Sequence, residues 1–345
     1  MLGGRGFMGR RILRLLPKNI DTVVAGRGPE RDDYIRFDVH EPEGVKLREG
    51  DVVINTVGPF TYAPEPVVRA CLDHGAHYVD LAETPAYMRG VREVARGATR
   101  RLAAITGCSS VPGLVEIYAR RWAGREDVAL VRAQLSIGTN NESSSTLLYS
   151  MLAPIGRERG QTLFLAGQKQ GLSPSRWFSQ TWLRKHEGLP ARRYGLYPGG
   201  LEDGLKVGER VVPATFGFGF DRRSYTLALW LLAPLVGATP RALLRLGAKV
   251  GNALAPLARP LGTKIGIMSL DALDANGAAI GSVEIRATAN GLDVPSWPSV
   301  WAAERLVGET DIPANCTSIA DLIDPDDATR RLRASGFEVR EVLDL

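Results

Sequence analysis

Six residues near the amino terminus, Gly4-Arg5-Gly6-Phe7-Met8-Gly9, have the G-x-G-x-x-G spacing, and the segment behind them, 10–16, is amphipathic. That pairing suits a pyrophosphate. Gly4 permits a tight turn, Gly6 lets the phosphates reach the backbone, and Gly9 lets a helix lie close on a strand. Arg5, Phe7 and Met8 complete the loop, and the free amides and positive end of the following helix face the anion. Roughly twenty residues further on, a site selective for NAD places a carboxylate against the ribose. This chain reads Val23-Val24-Ala25-Gly26-Arg27 there. Arg27 offers a planar cation suited to a ribose phosphate, so the expected cofactor is NADP(H). The plainer alternative has Arg27 solvated and Glu30 on the ribose.

A second group of candidates follows three apolar runs. Asn55-Thr56-Val57-Gly58-Pro59-Phe60 closes the run 51–56. Thr56, Val57, Gly58 and Pro59 would shape a turn under a cofactor, with Phe60 walling its nicotinamide, or the segment is an ordinary strand-ending turn. Tyr78, Asp80 and Glu83 stand at or just after the end of the run 77–81, as candidates for proton donor or substrate anchor. Against that, Asp80 caps a helix and Tyr78 packs. Ser109 and Ser110, in Cys108-Ser109-Ser110-Val111-Pro112-Gly113, could bind a polar substrate group or serve a hinge or cap.

The elements that must position these residues are legible in the hydrophobic pattern. Short β-branched runs at 22–25, 51–56, 77–81 and 102–106 alternate with helical spacing over 9–16, 65–74 and 87–98. This predicts an α/β fold with a Rossmann-type, doubly wound parallel sheet. After Gly113 the strands lengthen, as in 128–138, and 266–273 and 279–289 form a hairpin pattern about Asn276-Gly277. A second α+β domain with a mixed or antiparallel sheet is expected. Pro- and Gly-rich connections are expected to fill 188–208, two apolar helices 226–236 and 240–257, and a helix then a strand 325–335 and 337–343. The expected division is 1–113, 114–310 and a C-terminal segment 311–345 that returns to the first domain. The polar cluster Asn140 to Ser145 is expected to cap the helix behind it, and Thr215 to Phe220 to pack a strand on a helix.

Composition excludes more than it selects. With 44% hydrophobic and 23% charged residues the chain is ordinary globular material. The net charge of +5 comes from scattered arginines such as Arg10, Arg11, Arg14, Arg100, Arg101, Arg330, Arg331 and Arg333, without a basic tract, so no nucleic-acid partner is expected. The cysteines Cys71, Cys108 and Cys316 are widely spaced, and the four histidines show no ligand spacing, so no metal is expected. The apolar stretch 225–237 falls short of the ~20 residues of a bilayer span. A core helix is the favoured reading, and a peripheral membrane role for 225–257 ranks last. The expected setting is the cytoplasm, with a small-molecule substrate.

Taken together, Gly3 to Gly9, Ala25-Gly26-Arg27, Asp51 to Phe60, Val67 to Cys71 through Gly75 to Leu81, and Gly107 to Leu114 resemble the saccharopine dehydrogenase-like family, over about the first third of the chain. The resemblance implies an NADP-binding Rossmann domain, a mixed second domain on which subunits form a homodimer, and an oxidoreductase. It implies hydride transfer to or from a small or medium organic substrate, an imine, amine or carbonyl. A trans-acting enoyl reductase on an acyl or polyketide chain is the rival chemistry, and a non-catalytic NADP-binding protein the rival class. One departure stands out. Only Met1 and Leu2 precede the glycines, where a Rossmann fold spends about five residues on its central strand, so the expectation is a true start upstream and a truncated first strand.

Overall fold

The computed structural model describes residues 1–345 except 32, 43–45, 98–101, 156, 158–161, 166–167, 172–180, 198, 202, 309–311, 314–315 and 345. Arg100 and Arg101, and the end of the helix expected over 87–98, lie outside the described residues. In chain order the first elements are α1 (Phe7–Leu15), β1 (Val24–Gly26), β2 (Tyr34–Arg36), β3 (Val52–Asn55), α2 (Glu65–Asp73), β4 (His77–Asp80), α3 (Pro85–Arg96), β5 (Ala104–Ile105) and α4 (Val115–Ala119). Then come β6 (Leu130–Ile137), α5 (Ser145–Leu152), β7 (Thr162–Leu165), β8 (Gln168–Gly171), β9 (Thr181–His186), β10 (Leu189–Leu196), β11 (Leu205–Val207), β12 (Arg210–Val212) and β13 (Ala214–Phe220). The chain closes with α6 (Arg223–Ala238), α7 (Arg241–Ala258), β14 (Gly266–Leu273), β15 (Ala279–Ala287), α8 (Trp297–Leu306), α9 (Pro325–Ala334) and β16 (Glu338–Val342).

Two compact units result, Met1–Ile117 with Asp293–Asp324 and Tyr118–Leu292 with Pro325–Leu345. In the first, β1 pairs with β2 and β3 with β4 and then β5, all parallel. Leu2 joins the two halves by bridging Ala25 on one side and Asn55 on the other, again in parallel. Its amide donates to the Ile54 carbonyl at 2.9 Å, and its own carbonyl accepts from Thr56 at 3.0 Å. One buried leucine thus occupies the central strand position, in the spatial order β2, β1, Leu2, β3, β4, β5, the six-strand order of a dinucleotide-binding sheet.

The two faces are filled as a doubly wound sheet requires. Val53 and Tyr78 share a core with Val67, Val68 and Cys71 of α2 and Tyr87, Met88 and Val91 of α3. Successive strand residues point to opposite faces, so Ile54 and Val79 face the other way, where α8 packs on β3, β4 and α1. The strand β4 is buried at every position, His77 and Asp80 included. The segment carrying α8 belongs to this unit: Asp293 accepts two bonds from Arg14 of α1 at 2.6 and 2.7 Å, and Ser299 donates to the Cys108 carbonyl at 2.8 Å.

The second unit carries a seven-stranded sheet in the order β16, β15, β14, β6, β13, β10, β9, antiparallel except for β6 against β13. It curls, because His186 of the last strand reaches Glu284 of the second at 2.8 Å and Tyr194 at 2.8 Å. Burial alone would raise the Glu284 pKa, but the hydrogen bonds from His186 and Arg286 outweigh it and hold the carboxylate at about 2. Thr226 of α6 donates nothing to the sheet but accepts the Phe220 amide at 2.9 Å, tying the helix to β13.

Two expectations are corrected here. The segment 325–345 does not return to the first unit with its neighbours. Val339 and Arg340 pair antiparallel with Ile285 and Glu284 at the free edge of β15, and Thr329 of α9 meets Tyr118 at 3.0 Å. Residues 188–208 are not all connection, since Leu189–Leu196 forms β10 with a register shift after Leu189 that accommodates Pro190. The cap and packing expectations hold: Ser144 Oγ accepts the Leu147 amide at 3.1 Å, and β13 packs on α6.

Candidate functional site

The carboxyl edge of the parallel sheet collects most of the residues singled out in the sequence. At its centre, Gly3 takes a left-handed φ of 70°, and the Gly6 amide turns back to the Gly3 carbonyl at 2.7 Å. A Cβ on Gly9 would lie 2.4 Å from the Gly3 carbonyl oxygen and 2.7 Å from Gly4 Cα, and one on Gly6 would lie 3.0 Å from the same oxygen. These are backbone atoms that cannot swing away, so the turn requires glycine on both sides. Gly6 is the N-cap of α1 and supplies no side-chain acceptor, and the first turn holds no acidic residue. The amides of Phe7 and Met8 therefore stay available at the positive end of the helix dipole. The residues present fit a pyrophosphate.

Arg27 follows the end of β1, exposed, one strand away from that turn. The Tyr34 ring lies beneath it in the chain's path: Gly28 donates to the Tyr34 hydroxyl at 3.2 Å, and a Cβ on Gly26 would meet that oxygen at 2.4 Å. On the other side the Arg5 guanidinium stacks over the same ring at 4.2 Å. Its ion pair with Asp33, at 3.7 Å with both side chains largely in solvent, contributes little. The Arg5 guanidinium and the Tyr34 face thus lie beside the end of β1, where Arg27 follows. Thr56 stands on the other flank, its hydroxyl donating to the Leu2 carbonyl at 2.8 Å, while Val57, Gly58, Pro59 and half-buried Phe60 lead away from β3.

The structure separates the catalytic candidates. Tyr78 and Asp80 are fully buried, so neither presents surface to a bound substrate. Asp80 is a bracket: its Oδ1 accepts from the Ala82 amide at 2.8 Å, the Thr106 hydroxyl at 2.9 Å and the Gly107 amide at 3.0 Å, fixing the loops that follow β4 and β5. Its Oδ2 has no hydrogen-bond partner. Burial pushes its pKa up to about 6 against those three bonds. Glu83 keeps more than a third of its surface open, yet protein crowds its carboxyl and pushes the pKa up to about 7. Ser109 is half-buried, and Ser110 is buried with a hydroxyl that has no partner.

A cluster not singled out in the sequence lies between these groups. Asn55, at the last position of β3, accepts the Val57 amide on Oδ1 at 3.0 Å, which turns its amide nitrogen inward. That nitrogen lies 2.9 Å from the Tyr62 hydroxyl, 2.9 Å from Tyr78 and 3.2 Å from Tyr87. Two N–H bonds face three oxygens, so the hydroxyls must also bond one another. Tyr78 and Tyr87 are 2.7 Å apart, and Tyr87 reaches Tyr62 at 3.5 Å. Burial is the first cause of a raised pKa at all three, so each keeps its proton across the physiological range. Tyr62 alone among them remains partly open. Its ring meets Phe60, Tyr87 and His40. Asn55 was visible as a polar residue ending an apolar strand, and Tyr62 stands two positions beyond Phe60. Tyr87 gave no signal apart from helix.

Residues 1–105 match the family described as Saccharopine dehydrogenase NADP binding domain. A protein of Mycobacterium tuberculosis that carries the name trans-acting enoyl reductase is 38% identical over 152 residues, 37% of this chain and 36% of its own. A mitochondrial saccharopine dehydrogenase-like oxidoreductase of Arabidopsis thaliana is 23% identical over 176 residues, 41% of this chain and 39% of its own. This chain therefore spans well under half the length of these curated relatives. Among solved structures, saccharopine dehydrogenase (L-Glu forming) of Saccharomyces cerevisiae aligns with a TM-score of 0.55 at 12% identity, over 99% of this chain and 98% of that one. Residues 1–105 are thus similar to that NADP-binding domain family, and the chain shares its fold with the yeast enzyme.

Proposed function

We propose that the chain is an NADP(H)-dependent oxidoreductase that moves hydride to or from a small or medium organic substrate, an imine, amine or carbonyl. The observation that carries this reading is the glycine turn at an uncapped α1, in which a Cβ on Gly9 would come 2.4 Å from the Gly3 carbonyl. Gly4, Gly6 and Gly9 with the amides of Phe7 and Met8 hold the pyrophosphate. Arg27 pairs with the ribose phosphate, with Arg5 stacked on Tyr34 beside it. Thr56 to Phe60 line the cofactor's far half. NADPH supplies the hydride when bound. The chain supplies a proton at the Tyr62 hydroxyl, which Asn55 orients and Tyr87 and Tyr78 back with further hydroxyls. Asp80 fixes the loops under this edge, and Ser109 and Glu83 remain positions for anchoring the substrate.

The rival chemistry is reduction of a carbon–carbon double bond in an acyl chain, favoured by the relative named a trans-acting enoyl reductase over the matched third of its length. The deciding experiment titrates purified protein with NADPH and NADH by nucleotide fluorescence, then follows NADPH oxidation with cyclic imines and with enoyl thioesters. Tight NADPH binding, weak NADH binding and turnover of one class support the proposal and choose between its two chemistries. NADPH binding with no turnover of either class favours a non-catalytic NADP-binding protein, and no binding removes the reading.

A further inference from the structure

Exposed aliphatic side chains are concentrated in one stretch of the second unit. Of the sixteen large hydrophobic residues exposed among the described residues, ten fall between positions 227 and 261. On α7 they are Leu243, Leu246, Val250, Leu254 and Leu257, continued by Leu261 at the same spacing, so they form one stripe along the helix. The inward side of α7 is thin: Leu244 and Ala248 pack on Tyr149 of α5. On α6 the exposed set is Leu227, Leu231, Leu232 and Leu235, while Thr226 and Ala233 are buried. Both helices bury a narrow edge and leave a broad apolar face open, the reverse of a helix that serves only its own core.

Cations dominate the charge around these faces, with Asp221 held by Thr139 and Thr263 as the acidic residue at their edge. From 222 to 270 the sequence has seven cations, Arg222, Arg223, Arg241, Arg245, Lys249, Arg259 and Lys264, and no acidic residue. Several are held by neutral groups that leave the charge uncompensated: Arg222 donates to the Leu261 carbonyl, Arg223 to the Ala191 carbonyl at 2.6 Å, and Arg245 lies over the Tyr149 ring at 5.1 Å.

We propose that α6 and α7 form an interfacial docking surface for an anionic lipid bilayer, with their leucine faces in the headgroup and acyl boundary and the flanking cations on lipid phosphates. The charge pattern selects this occupant. A two-fold dimer through the same faces would bring cation against cation with no acidic residue of this stretch to pair them. Aliphatic faces bordered by lysine and arginine are the composition of helices that lie in a membrane interface. No described helix is long and apolar enough to cross a membrane, so the contact is peripheral. The proposal does not depend on the oxidoreductase reading.

The test is co-sedimentation of the full chain with vesicles of phosphatidylcholine alone and with about 30% phosphatidylglycerol, at low and high salt. Binding at least about tenfold tighter to the anionic vesicles, weakened by salt, is expected. The exposed-face variant Leu235→Glu/Leu254→Glu should lose binding by about tenfold or more with an unchanged Tm, and Arg241→Glu/Lys249→Glu should lose the preference for anionic lipid. Failure of the wild type to sediment with either vesicle overturns the proposal. So does a wild-type dimer that the leucine variant converts to monomer with vesicle binding unchanged, which would assign the face to a second copy.

Discussion

Replacing Asp80 with asparagine tests the electrostatics of the candidate site directly. Asparagine keeps the acceptor that takes the Ala82 amide, the Thr106 hydroxyl and the Gly107 amide, and it removes the charge. In the wild type, burial raises the folded carboxyl from 3.8 to about 6. The folded state therefore holds this proton longer than the unfolded state does. The stability so gained is full below the unfolded value and is lost as pH rises through about 6, beyond which the buried carboxylate is a cost. At about 1.4 kcal/mol per pH unit the gap amounts to about 3 kcal/mol. The first unit spans residues 1–117 and 293–324, a size at which 1 kcal/mol shifts Tm by about 2–4 °C. Most of this falls between pH 4 and pH 7, so the difference in Tm between Asp80→Asn and wild type should move in favour of the variant by about 5–10 °C over that range. Tyr62, Tyr78 and Tyr87, which face the group, stay protonated throughout this window, and Glu83 titrates in both proteins. Any penalty for the new amide hydrogens is independent of pH and cancels from the slope. A thermal melt series that gives a flat difference across that range would refute the reasoning.

Gly9→Ala forces a methyl against the Gly3 carbonyl and Gly4 Cα, so NADPH affinity should fall by about tenfold or more in a fluorescence titration; wild-type affinity would mean that the turn does not hold the phosphates. Arg27→Ala should weaken NADPH by about ten- to a hundredfold and leave NADH unaffected, as expected for a charged contact to the ribose phosphate; equal losses for both nucleotides would deny that role. Tyr62→Phe should lower kcat by about a hundredfold or more while Tm stays near wild type, because the hydroxyl is at the open end of the cluster. Tyr78→Phe, with its hydroxyl buried between Asn55 and Tyr87, should lower Tm instead. The reverse pattern would place the proton donor elsewhere.

Local signals determined much of this protein. The parallel half-sheet was legible because β3 is buried on both faces and reads as an apolar run, and because helical spacing alternates with the short strands around it. The glycine turn was legible because its requirement is local: Gly9 sits five and six residues from the atoms a side chain would strike. The hairpin of β14 and β15 was legible in Asn276-Gly277, where Gly277 takes a left-handed φ of 82°. What the sequence did not determine depended on distance along the chain. Asn55, Tyr62, Tyr78 and Tyr87 come from two strands, a loop and a helix, and nothing in their spacing announces that four polar groups meet. Tyr78 and Asp80 sit at the right edge of the sheet, but only packing decides that α2 and α3 bury Tyr78 and that the loops after β4 and β5 enclose Asp80. The destination of 325–345 was likewise a tertiary choice, since a strand of alternating character fits any open edge and β15 offered one. The apolar stretch 225–237 read as core, because hydropathy counts leucines without revealing which side the rest of the fold leaves uncovered.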